Sequence, residues 1–263
     1  MALSVKVTKH VLLDVLRSRW VVLYALFFLL LTWGLLFFGG VESKALLSLL
    51  NVELLLVPLV SLLFGTLYLY NATDFIELLL TQPIARGTLF KGLYAGIMLP
   101  LALGGAGGIG LPFLLMGTVN AEEAQILFYL IVVGVFLTAI FVALAFVVAL
   151  HFGDKAQGMG MAMLLWLAFT LLYDAGVLYF IHVYSDYPIE KAVIGLMALN
   201  PVDLARVFLL MQFDIAALMG YTGAVFQRFF GSFLGTILLV LALSLWLVLP
   251  LWRGYVLFNR RDF

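Results

Sequence analysis

An all-α membrane protein with six transmembrane helices is the fold class the sequence predicts, on three observations. The chain of 263 residues is 65% hydrophobic and only 11% charged, against roughly 25% charged usage in soluble domains. A spanning helix needs about 20 mainly apolar residues, and six stretches supply them, at about 20–39, 54–71, 93–117, 126–150, 159–181 and 232–254. Third, lysine and arginine fall unevenly across the loops. Lys6, Lys9, Arg17, Arg19, Arg86, Lys91, Lys155, Arg253, Arg260 and Arg261 share one side, and only Lys44, Lys191, Arg206 and Arg228 the other. That asymmetry predicts both termini in the cytoplasm. Glu42, Glu53, Glu122, Glu123, Asp186, Glu190, Asp203 and Asp214 are expected on the outer side.

The elements follow in order. Residues 1–19 place Leu3, Val7, Val11 and Val15 at helical spacing, with Lys6, Lys9, Asp14 and Arg17 off that stripe. This is the pattern of an amphipathic helix lying in the membrane interface, turning into the first span at Arg19-Trp20. The inner loop 72–92 mixes charge, proline and apolar residues. Pro83 breaks the chain there, and a short helix over 83–92 is expected to start just after it. The loop reads either as an interfacial connector or as a docking element for a cytoplasmic partner.

Gly104-Gly105-Ala106-Gly107-Gly108 in the third span and Gly231-x-x-x-Gly235 before the sixth allow close helix approach, within the bundle or at a dimer seam. Glu122-Glu123 reads as an acidic helix start near the positive end of the helix dipole. Met159, Met161 and Met163 have the softness copper(I) prefers. On a helix, however, Met161 points away from the other two, so they read as packing residues. His10, His151 and His182 show no metal spacing and read as interfacial polar residues.

Asp174 is the acid the sequence places deep in a span, where it faces either a partner helix or a water-filled path. The outer segment 182–231 is too apolar for a free linker and is interrupted at Asn200-Pro201-Val202-Asp203. It reads as re-entrant or interface-lying helices. Pro201 is expected to end one short helix and Asp203 to cap the next, with Arg206 three residues on, within reach of Asp203. Asp174 should be hydrogen-bonded inside the bundle or neutral. With no second acid in a span to continue a relay, a mechanical role is favoured.

Several classes are excluded or disfavoured. No cysteine is present, which removes disulfides, thiolate metal sites and cysteine nucleophiles. A formal net charge of zero argues against nucleic acid as a partner. The N-terminus does not read as a cleavable signal, because its apolar run is long enough to span. No Gly-x-x-x-x-Gly-Lys-Ser/Thr loop and no Gly-x-Ser-x-Gly elbow occur. The expectation is a non-enzymatic subunit that draws energy from elsewhere.

Six spans, an amphipathic entry helix, a proline-arginine inner loop and a long outer segment together resemble the ABC-2 type transporter permeases, of the type V ABC fold. The inner loop Leu78-Leu-Leu-Thr-Gln-Pro83-Ile-Ala-Arg86-Gly-Thr-Leu-Phe-Lys91 is similar to that of the NosY permease family of nitrous-oxide-reductase maturation. So are Leu199-Asn200-Pro201-Val202-Asp203-Leu-Ala-Arg206, the fifth span through Asp174, and the basic Arg260-Arg261 tail. The resemblance covers the chain as a single domain, 1–263, in the bacterial inner membrane. It implies a homodimer with two copies of a cytoplasmic, NosF-like ATPase that hold the ATP and magnesium. It also implies a periplasmic β-helical, NosD-like partner, with membrane lipid around the spans. Pro83, Arg86 and Lys91 would then couple to the ATPase, and Asn200, Pro201, Asp203 and Arg206 would form an outer gate or partner contact. The assembly would serve copper-site maturation by transport or by mechanical transmission. The alternatives are export of an unrelated lipid, drug or polysaccharide, or an intramembrane enzyme or channel. The chain itself is expected to bind no metal or cofactor.

Overall fold

Inside a membrane no water satisfies the peptide groups, so apolar runs this long resolve into helices that bond within themselves. The computed structural model describes residues 2–39, 42–82, 84–116, 120–184, 190–212 and 233–261. Among them the helices are α1 (Ala2–Arg17), α2 (Arg19–Gly39), α3 (Glu42–Asn71), α4 (Thr73–Leu80), α5 (Arg86–Met116), α6 (Ala121–His151) and α7 (Lys155–Leu167). A π-turn (Ala168–Leu172) joins α7 to α8 (Tyr173–Val183), and α9 (Glu190–Ala198), α10 (Pro201–Gln212) and α11 (Phe233–Arg260) follow. Among the described residues six segments are long and apolar enough to cross a membrane: Arg19–Phe38, Lys44–Asn71, Arg86–Met116, Glu123–His151, Lys155–Val183 and Ile237–Arg260. The second and third begin several residues before the apolar runs do, because a helix keeps its own hydrogen bonds past the end of the hydrocarbon.

The central helix is α6, which packs against α3, α5 and α11. Leu137, Ile140, Phe141, Ala145 and Phe146 are fully buried along it. α1 lies across α5, with Val11 and Val15 fully buried and Lys9, Asp14 and Arg17 exposed. Glycines of α5 serve close packing within the bundle at Gly96, against Val11 of α1, and at Gly105 and Gly108, against α2. A Cβ at Gly108 would sit 2.7 Å from Phe28 Cβ and 2.8 Å from the Ala25 carbonyl oxygen, and one at Gly105 would sit 2.9 Å from Tyr24 Oη. α2 therefore approaches α5 backbone to backbone. Gly231 lies outside the described residues.

One end of the bundle gathers the residues expected to be cytoplasmic. Tyr68 Oη donates to Asp14 Oδ2 at 2.9 Å, and Lys155 Nζ to Asn71 Oδ1 at 2.9 Å. Asp154 caps α7, accepting from Ala156 N at 2.6 Å and Gln157 N at 3.0 Å. The short helix expected after Pro83 lies before it, as α4. Residues 86–92 instead form the first two turns of α5. The reason is pattern: Thr73–Leu80 buries Ile76 and exposes Asp74, Glu77 and Leu78, a small amphipathic unit of its own. Pro83 lies outside the described residues.

Candidate functional site

Three elements meet near the other end of the bundle: the fifth span, α10 and α11. The junction starts from a backbone irregularity. At the π-turn the i→i−4 ladder slips, a feature that leaves carbonyls in need of other donors and recurs at functional sites. The Phe169 carbonyl accepts from Asn200 Nδ2 at 2.8 Å, and Thr170 Oγ1 donates back to the Trp166 carbonyl at 2.8 Å. Asn200 is wholly buried. Its other amide atom, Oδ1, accepts from Val202 N at 3.0 Å, so one side chain starts α10 and anchors it to the fifth span.

This corrects the expected capping. Asn200, not Asp203, supplies the side-chain cap, and Pro201 opens α10 rather than closing the helix before it. Pro201 stands at the first helical position, where its missing N–H costs nothing. α9 already ends at Ala198, whose carbonyl accepts from Trp246 Nε1 of α11 at 3.1 Å.

With its cap role taken, Asp203 turns inward. It is 4% exposed, in an α10 where Val202, Leu204, Ala205, Val207 and Leu209 are also buried. Arg206 Nη1 donates to Asp203 Oδ1 at 3.2 Å and to Asp174 Oδ2 at 2.7 Å. Asp174 thus pairs with a cation from α10. Burial pushes the Asp203 carboxyl up to about 7. The adjacent Asp174 carboxyl adds to that rise, while Arg206 and Asn200 oppose it. One guanidinium therefore faces two acids that sit together, a unit able to hold or release a proton without leaving a lone buried charge.

Three sequence-predicted residues converge here on Asn200's anchor: Asp174, Asp203 and Arg206. The inner set does not converge. Arg86 Nη1 donates to the carbonyls of Asn259 at 3.0 Å and Arg261 at 2.9 Å, closing the end of α11, while Lys91 is exposed. Arg86 is thus held by its own chain at the place where it was expected to meet a partner. Met161 and Met163 are exposed, and among the described residues no three His, Cys, Asp or Glu side chains come together as a metal would need.

Sequence reasoning missed Glu53. It was assigned to the outer surface, yet it is 2% exposed inside α3, its Oε1 pressed onto Gly134 of α6 and its Oε2 without a hydrogen-bond partner. The Tyr24 hydroxyl on α2, within electrostatic reach of Glu53, is likewise buried and unpartnered. The available signal was the apolar residues flanking Glu53 on both sides, Leu49, Leu50, Val52 and Leu54. A span taken to start at residue 54 hid it. Asp174 is therefore accompanied by a second acid within a span, Glu53 in the Lys44–Asn71 segment, and by Asp203 of α10 beside it.

Comparison with known proteins gives two similar chains. One, from Pseudomonas aeruginosa, is described as a probable ABC transporter permease protein NosY. It is 32% identical over 276 residues, covering 95% of this chain and 94% of the relative. The other, from Stutzerimonas stutzeri and described in the same words, is 29% identical over 279 residues, covering 97% of each. No family model matches the chain.

Proposed function

Since the chain belongs to the NosY family of ABC transporter permeases, we propose that it transmits ATP-driven motion from a cytoplasmic ATPase to the outer α8–α10 cluster, in the service of copper-site maturation of nitrous oxide reductase. The assembly in this reading is a permease homodimer with two ATPase copies and a periplasmic β-helical partner seated over α9 and α10. ATP and magnesium belong to the ATPase.

The observation that carries the reading is the Arg206–Asp174 bond of 2.7 Å, because it ties the outer segment to the span that, alone among the described residues, contains a π-turn. A chain of contacts leads to it from the inner end. α4 follows directly on α3. α3 is bonded to the fifth span through Asn71–Lys155 at 2.9 Å and through the Leu55 carbonyl to Trp166 Nε1 at 3.0 Å. The fifth span reaches α10 through Phe169–Asn200 and Asp174–Arg206. A rigid-body tilt of α3 and α7 has a natural place to be absorbed, the π-turn, and a natural output, the position of α10.

The test separates motor from output. In cells, copper loading and activity of the reductase report the output; ATP hydrolysis by the purified complex reports the motor. Asp174→Asn, which keeps an acceptor for Arg206, should retain most maturation. Asp174→Leu should leave complex yield and ATP hydrolysis in place and remove maturation. A Leu variant that assembles and matures the reductase fully would sink the reading.

A further inference from the structure

Two cavities adjoin beside α1. The first, about 570 Å³, lies between α1 and the ends of α3 and α4 and is lined in part by Asp14, Arg17 and Tyr68. The second, about 900 Å³, is an almost wholly apolar groove between α2 and α3. Trp20, Phe64 and Leu67 line both, so the polar cavity continues into the apolar groove. That sequence of surfaces has the polarity of an amphiphile: charged at the interface, hydrocarbon below it.

The charges narrow the occupant. Arg17 makes no ion pair among the described residues, although Asp14 stands three residues before it. Asp14 lines the same cavity as an anion and accepts the Tyr68 hydroxyl on Oδ2 at 2.9 Å. One cation and one anion side by side complement a headgroup that carries both a phosphate and an amine. The groove matches a chain of one leaflet. From Trp20 to Leu30 it follows α2 for about 15 Å at 1.5 Å per residue, half of a hydrocarbon core about 30 Å thick. Its walls, including Leu23, Leu26 and Leu30, are left uncovered by the rest of the chain, at 58%, 46% and 67% exposed.

We propose that the paired cavities form a binding site for one phospholipid with a primary-amine headgroup. Its phosphate lies on Arg17, its amine on Asp14, and one acyl chain lies along the α2–α3 groove. A bound lipid would pin α1 to α3 next to α4, where the chain passes from membrane to loop.

Native mass spectrometry of the delipidated full-length chain, titrated with phosphatidylethanolamine, phosphatidylcholine or diacylglycerol, tests this. One phosphatidylethanolamine per chain should bind more tightly than either other lipid. Arg17→Ala should weaken it about fivefold, the factor expected for loss of one basic residue from a headgroup. Leu63→Trp, which fills the groove and leaves the headgroup cavity alone, should weaken it as well, and covers the case in which the Arg17 variant is poorly folded. Equal binding of all three lipids, or no change in either variant, would mean ordinary surrounding lipid and overturn the site. So would efficient crosslinking of Leu63→Cys, the sole thiol in that chain, to a second copy in native membranes, because the groove would then be a subunit contact.

Discussion

Arg206 gives the Asp174–Asp203 cluster its sensitivity, because one guanidinium faces two carboxyl groups and one of them is buried. The folded value of Asp203, about 7, lies above its ordinary 3.8. The folded chain therefore holds this proton more tightly than the unfolded chain does. The resulting stability is fully present below about pH 4, declines as pH rises, and is lost once pH passes about 7. Above that, Asp203 is ionised beside Arg206. Thermal midpoints of the solubilised permease should accordingly fall between about pH 5 and 8, and Asp203→Asn should remove that part of the decline. Superimposable profiles for the two proteins would refute it. Each residue of this cluster stood out in the sequence, Asp174 by its depth and the other three by their motif. The Asp203–Arg206 pair was legible from its i, i+3 spacing and forms at 3.2 Å; its meeting with Asp174 was not, because that depends on α10 folding back onto the fifth span, which no local spacing encodes.

Elements tell a similar story with a different cause. Six apolar runs foretold the six helices that, among the described residues, are long and apolar enough to cross a membrane, since run length is what a bilayer demands. The π-turn was invisible: Ala168-Phe-Thr-Leu-Leu172 has no proline or glycine to mark it, and tertiary contacts through Asn200 hold it in place. Glycine in α5 was legible as close packing, but which face meets a neighbour was not. The structure separates Gly108, which meets Phe28 and the Ala25 backbone, from Gly107, which meets nothing within 4 Å. Gly108→Ala must push α2 away from α5 and should cost about 1–3 kcal/mol, the usual range for overpacking. Gly107→Ala, one residue away on an open face, should leave the melting midpoint unchanged. Equal effects at the two positions, measured by thermal unfolding in detergent, would show that α2 and α5 are not held by this contact.

At the scale of the whole molecule the question is where an ATPase takes hold. The 72–92 loop reads in sequence either as an interfacial connector or as a docking element, with Arg86 and Lys91 as the cations of the second reading. The structure divides it. Arg86 belongs to the bundle, capping α11 through the Asn259 and Arg261 carbonyls while Arg261 itself reaches the Ala149 carbonyl at 2.8 Å. α4 presents Asp74, Glu77 and Leu78 outward, with Leu78 60% exposed, and joins α3, from which the contacts to the outer cluster run. Two variants discriminate these roles. Arg86→Glu places a carboxylate against carbonyl oxygens and should destabilise the permease on its own, lowering its melting midpoint with no ATPase present. Glu77→Lys combined with Leu78→Asp alters only an exposed face. It should leave that midpoint unchanged and reduce capture of the ATPase in co-purification. If instead the α4 variant binds ATPase normally, and Arg86→Glu loses it without any loss of permease stability, docking runs through the start of α5. The path from motor to outer cluster would then enter by α5 and α6 instead of α3.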